Sequence, residues 1–285
     1  MTALPTFIGI GAQKSGTTWL HEQLDAHPDV WVPPTKELHF FDGAHGSAVV
    51  RSLIARDADA DLARRRLRGV FSGPGRRHNA TMLLAPRSRR RYERCFEPDE
   101  GQRAGEITPA YALLDDRTVA RISRWIPDLR VLFMLRSPVQ RAWSHFNMFR
   151  QRHHRDTGFA FSDLPAVKLA TIISKSTYLP TVDRWETAFR SGALRILFYD
   201  DLEIDPTAVL VEALDHIGAR SDAGVITPTV NERVHARHPG PIDPETEWVL
   251  TSRLFDEIQR LHQRFENAST QRWADRAIDV MRRQR

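Results

Sequence analysis

Apolar residues occur along the chain in two patterns, short continuous runs and longer stretches with helical spacing. Continuous runs at Phe7–Ile10, Arg130–Leu135 and Leu194–Tyr199 predict buried strands. Helical spacing predicts the helices Thr17–Asp25, Ser47–Val70, Arg87–Arg94, Val119–Ile126, Thr177–Phe189, Pro206–Ile217 and Glu245–Phe265. A further helix is predicted to follow the second strand directly, with Ser137 as its N-cap and Pro138 as its first residue.

The segments between and after these predicted elements have weaker hydrophobic patterns. Pro28, Pro33 and Pro34 mark a turn-rich connection, after which Lys36–Asp42 is expected to form an extended or loop segment that lines a site. Gly105–Pro109 is expected to break the chain after a helix. Residues beyond Phe265 are expected to form a charged tail.

The order of these elements predicts the fold class. Strands that alternate with helices form a parallel sheet with helices on both faces. We therefore expect residues 1–285 to form a single α/β domain, a P-loop-type three-layer α/β/α fold with a central parallel sheet. Ligands of such sheets bind beyond the carboxyl ends of the strands. The loops after Ile10 and Leu135 are accordingly expected to be neighbours at one site.

Composition narrows the class of protein. The chain has 285 residues, a formal net charge of +5 and one cysteine, Cys95. No apolar stretch is long enough for a membrane helix, and the mild charge excess gives no case for nucleic-acid binding. We expect a cytoplasmic protein without membrane or nucleic-acid partners. Of 41 basic residues only four are lysines, and two of them, Lys14 and Lys36, lie in the most motif-like segments.

The segment Gly11–Thr18 has the residues of a phosphate-binding loop between a strand and a helix. Glycines such as Gly11 and Gly16 allow backbone N–H groups to turn toward an anion, and the following helix adds its positive end. Lys14 supplies a full positive charge, and the hydroxyls of Thr17 and Thr18 can donate to phosphate oxygens.

Two features separate this loop from that of a nucleotide triphosphatase. The lysine precedes the second glycine instead of following it. The strand Arg130–Leu135 leads into Arg136, where an ATPase would present a magnesium-binding aspartate. A magnesium-dependent kinase or ATPase stays open as an alternative, because Asp200 could supply the acid from another strand.

Four ordered segments resemble the sulfotransferases that use 3′-phosphoadenosine-5′-phosphosulfate (PAPS), in the branch of the heparan sulfate sulfotransferases and their bacterial relatives. The matching segments are Gly11–Leu20, Lys36–Asp42, Gly105–Tyr111 and Arg136–Ser144, with weaker matches at Ser176–Tyr178 and Leu194–Asp201. They cover about the first 210 residues in the family's order.

The resemblance implies PAPS as cosubstrate, 3′,5′-adenosine bisphosphate as product, and no metal. It implies that the loop, including Ser15 and Trp19, holds the 5′-phosphosulfate, and that Arg136 and Ser144 hold the 3′-phosphate. Tyr178 is expected either to contact the nucleotide or to pack in the core. Residues 231–239 partly match the loop that covers the nucleotide in the family. Either Arg233 or Arg237 in this segment is expected to close over the cosubstrate.

The resemblance also assigns the chemistry. Lys14 is expected to stabilise charge on the departing 5′-phosphate. Glu37 is implied to be the general base, with His39 as its rival because an imidazole titrates near neutral pH. Lys36, His39 and Asp42 are implied to orient the base or contact the acceptor, and Glu106 is expected to line the acceptor pocket or to act as a cap.

The acceptor itself stays open at this stage. A small molecule, a natural product or a glycan could offer the hydroxyl or amine, and our hypothesis is a small soluble metabolite or a glycosylated natural product. A second class of hypothesis is a non-catalytic protein that binds nucleotides or polyanions.

Overall fold

The structure is a computed structural model that describes residues 3–34, 36–43, 88–153, 157–231 and 240–283. Its centre is a five-stranded parallel sheet in the order β2-β3-β1-β4-β5. The strands are β1 Phe7–Gly11, β2 Val30–Trp31, β3 Arg103–Ile107, β4 Arg130–Leu135 and β5 Leu194–Phe198. The predicted fold class, an α/β fold with a central parallel sheet, is confirmed.

Ten α-helices are found in the described part of the chain. They are α1 Thr17–Asp25, α2 Arg89–Glu93, α3 Asp116–Trp125, α4 Pro138–His153, α5 Ala166–Ser174, α6 Leu179–Ala188, α7 Tyr199–Ile204, α8 Pro206–Ile217, α9 Pro244–Phe265 and α10 Ala268–Arg282. Short 3₁₀ helices occupy Pro109–Leu113, Phe161–Asp163 and Pro228–Asn231.

The sheet is buried on both faces, and β4 shows why its apolar run is continuous. Val131, Phe133 and Leu135 point to one core cluster, whereas Leu132 and Met134 point to the other. Successive side chains of a strand face opposite sides, so a strand covered by helices on both sides needs apolar residues at every position.

The helices form two layers, one on each face of the sheet. Helices α3, α6, α9 and α10 pack on the first cluster, and α1 and α8 pack on the second. This is the predicted arrangement of three layers.

Several boundaries agree with the sequence patterns, and others differ. The predicted strand Arg130–Leu135 and helix Pro206–Ile217 are observed with the same limits, and α4 begins at Pro138 as expected. Ser47–Val70 lies outside the described residues, as does Arg87 of the predicted helix Arg87–Arg94.

Where Gly105–Pro109 was expected only to break from a helix, the structure has a strand that the sequence analysis did not predict, because Arg103–Ile107 is β3 between β1 and β2. The strand is short and contains a buried glutamate, which hides its apolar pattern. Gly105 is required there, since a Cβ atom at this position would lie 2.4 Å from the Phe7 ring.

The expected charged tail after Phe265 is instead the helix α10. Asn267 caps it by accepting a hydrogen bond from the Thr270 backbone N–H at 2.9 Å. Its charged residues face outward, while Trp273, Ala277 and Val280 are buried. Trp273, Ala277 and Val280 recur at helical spacing, so the segment has an amphipathic pattern that the sequence analysis did not identify.

No helix in the described residues has the length and apolar character needed to cross a membrane.

Candidate functional site

The loop between β1 and α1 lies at the carboxyl end of the sheet, where it turns tightly around two residues with positive φ. Lys14 has φ 76° and Gly16, the N-cap of α1, has φ 87°. A Cβ atom at Gly16 would lie 2.8 Å from the Met134 sulfur. The loop is therefore pressed against β4 and leaves the free N–H groups of the α1 terminus beyond the strand ends.

Arg136 follows β4 and leans across this loop. Its Nη1 donates to the Lys14 carbonyl at 3.3 Å, and its guanidinium lies 4.3 Å from the centroid of the Tyr199 ring. The Tyr178 hydroxyl donates to the Arg136 carbonyl at 2.9 Å. The structure thus brings the loops after β1 and β4 together, as expected from the sheet topology.

A group of basic side chains surrounds the loop. Among the described residues, none of the ion pairs includes Lys14, Arg136, Arg141 or Lys175. Burial, and then the charges of Arg136 and Arg152, lower the pKa of Lys14. We call Lys14, Arg136, Arg141, Arg152 and Lys175 the cation cluster.

The effect of this cluster is visible at His145 nearby. Burial, followed by the charges of Arg141 and Lys175, lowers the pKa of His145 to about 3. A region in which basic groups destabilise one another's charges is suited to an anion with more than one negative charge.

The segment Lys36–Asp42 crosses in front of the loop and has a different electrostatic character. Lys36 Nζ donates to Thr18 Oγ1 at 2.6 Å and lies 3.7 Å from Glu37 Oε1. His39 Nε2 lies 3.3 Å from Glu37 Oε2, and its Nδ1 lies 2.5 Å from Asp42 Oδ2. Positive and negative groups therefore alternate along the segment.

Two residues of the segment adopt a backbone conformation that is unusual for side chains with a Cβ atom. Glu37 has φ 62° and His39 has φ 52°. Such conformations cost about 1–3 kcal/mol each and persist where the surroundings hold them. The strain places both side chains on the same side of the segment, where they contact each other.

The surroundings set different protonation states for Glu37 and His39. Burial acts against the imidazolium, but hydrogen bonds to Asp42 and Glu37 outweigh it and raise the pKa of His39 to about 9. Burial alone would raise the pKa of Glu37, but the hydrogen bond from His39 and the charge of Lys36 hold it below its ordinary value. At neutral pH Glu37 is therefore a carboxylate, and His39 is a cation in contact with it.

Glu106 lies beneath this segment and does not line the cavity described below. Its carboxylate is 1% exposed and accepts hydrogen bonds from Tyr92 at 2.5 Å, Thr108 at 2.7 Å and Tyr111 at 3.2 Å. Burial raises its pKa to about 7, although these hydrogen bonds act in the opposite direction. The Tyr111 oxygen also accepts the Phe40 backbone N–H at 2.8 Å, so Tyr111 connects Glu106 to the segment Lys36–Asp42.

Comparison with known proteins identifies the family. The family model described as the sulfotransferase family matches residues 5–223, which is most of the chain. The chain belongs to the sulfotransferase family. A comparison with curated protein sequences gave no match.

Solved structures support the same family. A sulfotransferase from Alicyclobacillus acidocaldarius is 25% identical with a TM-score of 0.67, over 95% of this chain and 99% of that one. The sulfotransferase domain of the Synechococcus PCC 7002 olefin synthase has a TM-score of 0.52 at 16% identity, over 92% of this chain and 94% of the other. The similarity to the Synechococcus domain is a similarity of fold alone.

The other residues predicted to bind the nucleotide in this sulfotransferase family member are mostly buried, some in the loop and some outside it. Ser15 and Thr17 are buried in the loop, and Tyr178 is 1% exposed. Ser144 is buried on α4, and its hydroxyl makes no hydrogen bond to another described residue. The Trp19 side chain is buried on the far side of the loop, where Nε1 donates to the Val230 carbonyl at 3.0 Å. Arg233 and Arg237 lie outside the described residues.

A cavity of about 180 Å³ opens beside Glu37 and His39. Lys175 and Gln13, which the sequence analysis did not select, lie in its wall, and Lys175 Nζ donates to Gln13 Oε1 at 2.9 Å. The scarcity of lysine could have identified Lys175, because three of the four lysines, Lys14, Lys36 and Lys175, meet at this site.

Arg141 is a third residue that the sequence analysis missed, although it lies within a matching segment. Its guanidinium is fully buried and donates to Ser176 Oγ and to the Ile172 carbonyl, both at 2.6 Å. Arg141 therefore holds the turn that carries Lys175 and Tyr178.

Proposed function

We propose that this sulfotransferase uses PAPS as donor, an acceptor hydroxyl or amine as nucleophile, Glu37 as general base and no metal. The observation that carries the proposal is the contact between the two halves of the site. Lys36 Nζ bonds Thr18 of the phosphate loop at 2.6 Å and lies 3.7 Å from Glu37. A carboxylate base is thereby held beside a loop built for an anion.

The residues present suit the two charged ends of this nucleotide. Lys14, Thr17, Thr18 and the free N–H groups of the α1 terminus would hold the 5′-phosphosulfate. Arg136 would hold the 3′-phosphate together with the unengaged hydroxyl of Ser144, since a guanidinium can bind a phosphate with two parallel hydrogen bonds. The absence of acidic partners from the described part of the cation cluster favours a polyanion without a metal ion.

The reaction requires little covalent work from the protein. The nucleotide supplies an activated sulfuryl group, and the bond from sulfur to the 5′-phosphate oxygen breaks as the bond to the acceptor oxygen forms. Glu37 takes the acceptor's proton, and His39 keeps its carboxylate oriented. Lys14 stabilises the negative charge that develops on the departing phosphate, which is larger in the transition state than in the ground state.

The acceptor is proposed to be a small molecule or a glycan. Its reacting oxygen must approach Glu37, so it enters from the side of the cavity that Glu37 and His39 border.

Calorimetric binding of 3′,5′-adenosine bisphosphate and of ATP–Mg²⁺ tests the donor. We expect metal-independent binding of the bisphosphate that weakens about 100-fold in Arg136→Ala, because two charge-assisted hydrogen bonds are lost. Arg130→Ala is the matched control: Arg130 lies on the same strand at the opposite end and donates to the Gly192 carbonyl at 3.4 Å. Preference for ATP–Mg²⁺ with Arg136 dispensable would instead indicate a kinase-like enzyme.

The acid that such a kinase would use is already engaged. Asp200 Oδ1 accepts from Trp273 Nε1 at 3.0 Å and lies 3.9 Å from Arg272, both on α10. This placement favours the metal-independent alternative. A non-catalytic binder would hold the bisphosphate with equal affinity before and after Glu37→Gln and would transfer no sulfate in either form.

A further inference from the structure

The wall of the cavity beside Glu37 is mainly apolar. Its apolar side chains are those of Ala12, Pro109, Ala110, Ala112, Leu113 and Phe133. They come from the phosphate loop, from the 3₁₀ helix Pro109–Leu113 and from β4, so the apolar wall is built on rigid elements.

The hydroxyl groups in the wall are already used. Thr181 Oγ1 donates to the Ala112 carbonyl at 2.7 Å, and Thr177 Oγ1 donates to the Ile173 carbonyl at 3.2 Å. The Tyr178 hydroxyl donates to the Arg136 carbonyl at 2.9 Å. Each hydroxyl has a single proton, so none of the three can donate to a ligand without giving up its present hydrogen bond to a carbonyl.

The polar groups that remain are grouped around the reacting end. Glu37 and His39 contact each other at 3.3 Å. Lys175 donates a hydrogen bond to Gln13, and its charge interacts with the charge of Glu37. The cavity therefore offers one polar end, where an acceptor hydroxyl would meet the base, and an apolar remainder.

Leu113 extends the apolar wall to the surface. It lines the cavity and is nevertheless 48% exposed, which makes it one of three large apolar side chains exposed in the described residues. The other two, Val167 and Ile204, do not line the cavity. An exposed leucine at the mouth of an apolar cavity is suited to contact a ligand that enters it.

We propose that the acceptor is a compact hydrophobic alcohol or phenol whose apolar body fills this cavity, with Leu113 as a specificity-determining residue at its mouth. The inference rests on the proposed sulfuryl transfer. A sugar ring carries hydroxyls on most of its carbons, and those that lie away from Glu37, His39, Lys175 and Gln13 would lose water against apolar side chains. An alkyl or aryl alcohol needs a polar partner only at its reacting oxygen.

The test compares acceptors in the presence of PAPS after bisphosphate binding has been measured on the same protein. Transfer of ³⁵S-labelled sulfate is followed with 2-naphthol and 1-hexanol, and with methyl β-glucoside and N-acetylglucosamine. We expect turnover of the first pair. We also expect Leu113→Asn to raise KM for 2-naphthol about tenfold with kcat unchanged, because part of a leucine contact is lost.

Ile204→Asn is the matched control, since Ile204 is 72% exposed and lies away from the cavity. It should leave KM unchanged, and melting temperatures should show that both variants fold. Equal effects of the two variants would overturn the role of Leu113. Turnover of sugars alone, or of neither pair by protein that binds the bisphosphate, would overturn the acceptor class. Failure to bind the bisphosphate would instead overturn the proposed donor.

Discussion

The two halves of the candidate site differ in how their charges are balanced. On the donor side, the cation cluster around the phosphate loop makes no ion pair with a described acidic residue. On the acceptor side, Lys36, Glu37, His39 and Asp42 form an alternating chain in which every charge has an opposite neighbour.

Under the proposed function, this difference distinguishes an anion-binding surface from a catalytic group. The donor side is incomplete until an anion arrives, so its charges destabilise one another in the free protein. The acceptor side is complete, so it holds its carboxylate ready before any ligand is bound. Substitutions at Lys14 or Arg136 on the donor side should therefore weaken ligand binding with little cost to stability, whereas those on the acceptor side should affect turnover with little effect on nucleotide affinity.

The largest expected effect separates turnover from binding. We expect Glu37→Gln to lower kcat by about 10²–10⁴-fold, because the general base is removed from the acceptor proton. The affinity for 3′,5′-adenosine bisphosphate, measured by calorimetry, should stay the same. Glu186→Gln, which alters an exposed ion pair with Arg264, is the control. Loss of nucleotide affinity in Glu37→Gln would show that the two halves are not independent.

Lys14→Met tests the donor side. We expect kcat to fall about 10²–10³-fold, since the charge that stabilises the departing phosphate is lost. The melting temperature of the free protein should stay the same or rise, because burial and neighbouring cations already lower the Lys14 pKa. A marked fall in melting temperature would mean that Lys14 is a structural cation and that the cluster is not waiting for a ligand.

The pH dependence of kcat/KM tests the acceptor side. With the His39 pKa at about 9, we expect activity to fall about tenfold per pH unit above that value, as the imidazolium that orients Glu37 loses its proton. His39→Gln should show lower activity and no such limb. The same group should stabilise the fold fully below pH about 6.5, and this contribution should be lost as the pH rises through about 9. An unchanged alkaline limb in the variant would assign it to Lys14 instead.

Glu106→Gln should have the smallest effect, because Glu106 acts through Tyr111 on the Phe40 backbone. We expect kcat to fall only a few-fold. The folded-state pKa of Glu106 is raised to about 7, so its contribution to stability should be greatest below pH about 4.5 and decline as the pH rises to about 7. Denaturant unfolding at several pH values should show this decline in the wild type and not in the variant. An identical pH dependence would mean that Glu106 titrates normally.

The sequence alone was enough to predict those elements that are defined by interactions between neighbouring residues. The continuous apolar run of β4 identifies a strand covered on both faces. The helix α8 has Asp205 as its N-cap, Pro206 at its first position and Gly218 at its C-cap with φ 74°, so its limits follow from neighbouring residues. The phosphate loop likewise follows from a few residues in succession.

Other elements depend on contacts that the hydrophobic pattern along the chain does not show. Glu106 can occupy a central strand because hydroxyls from residues 92, 108 and 111 surround its carboxylate. The apolar residues of α10 have helical spacing, and the tertiary structure shows that the first core cluster receives them.

The sequence by itself determined the chemistry available at the site, since it placed Lys14, Arg136 and Glu37 in loops that a parallel sheet brings to one end. Tertiary structure alone decided the electrostatic surroundings of Glu37 and His39 and which further cation joins the site. His39 is held as an imidazolium by two carboxylates, and Lys175 meets Gln13 across 162 positions of sequence. The physical reason is that desolvation and Coulomb interactions depend on distances in space, whereas strand and helix patterns depend on neighbours along the chain.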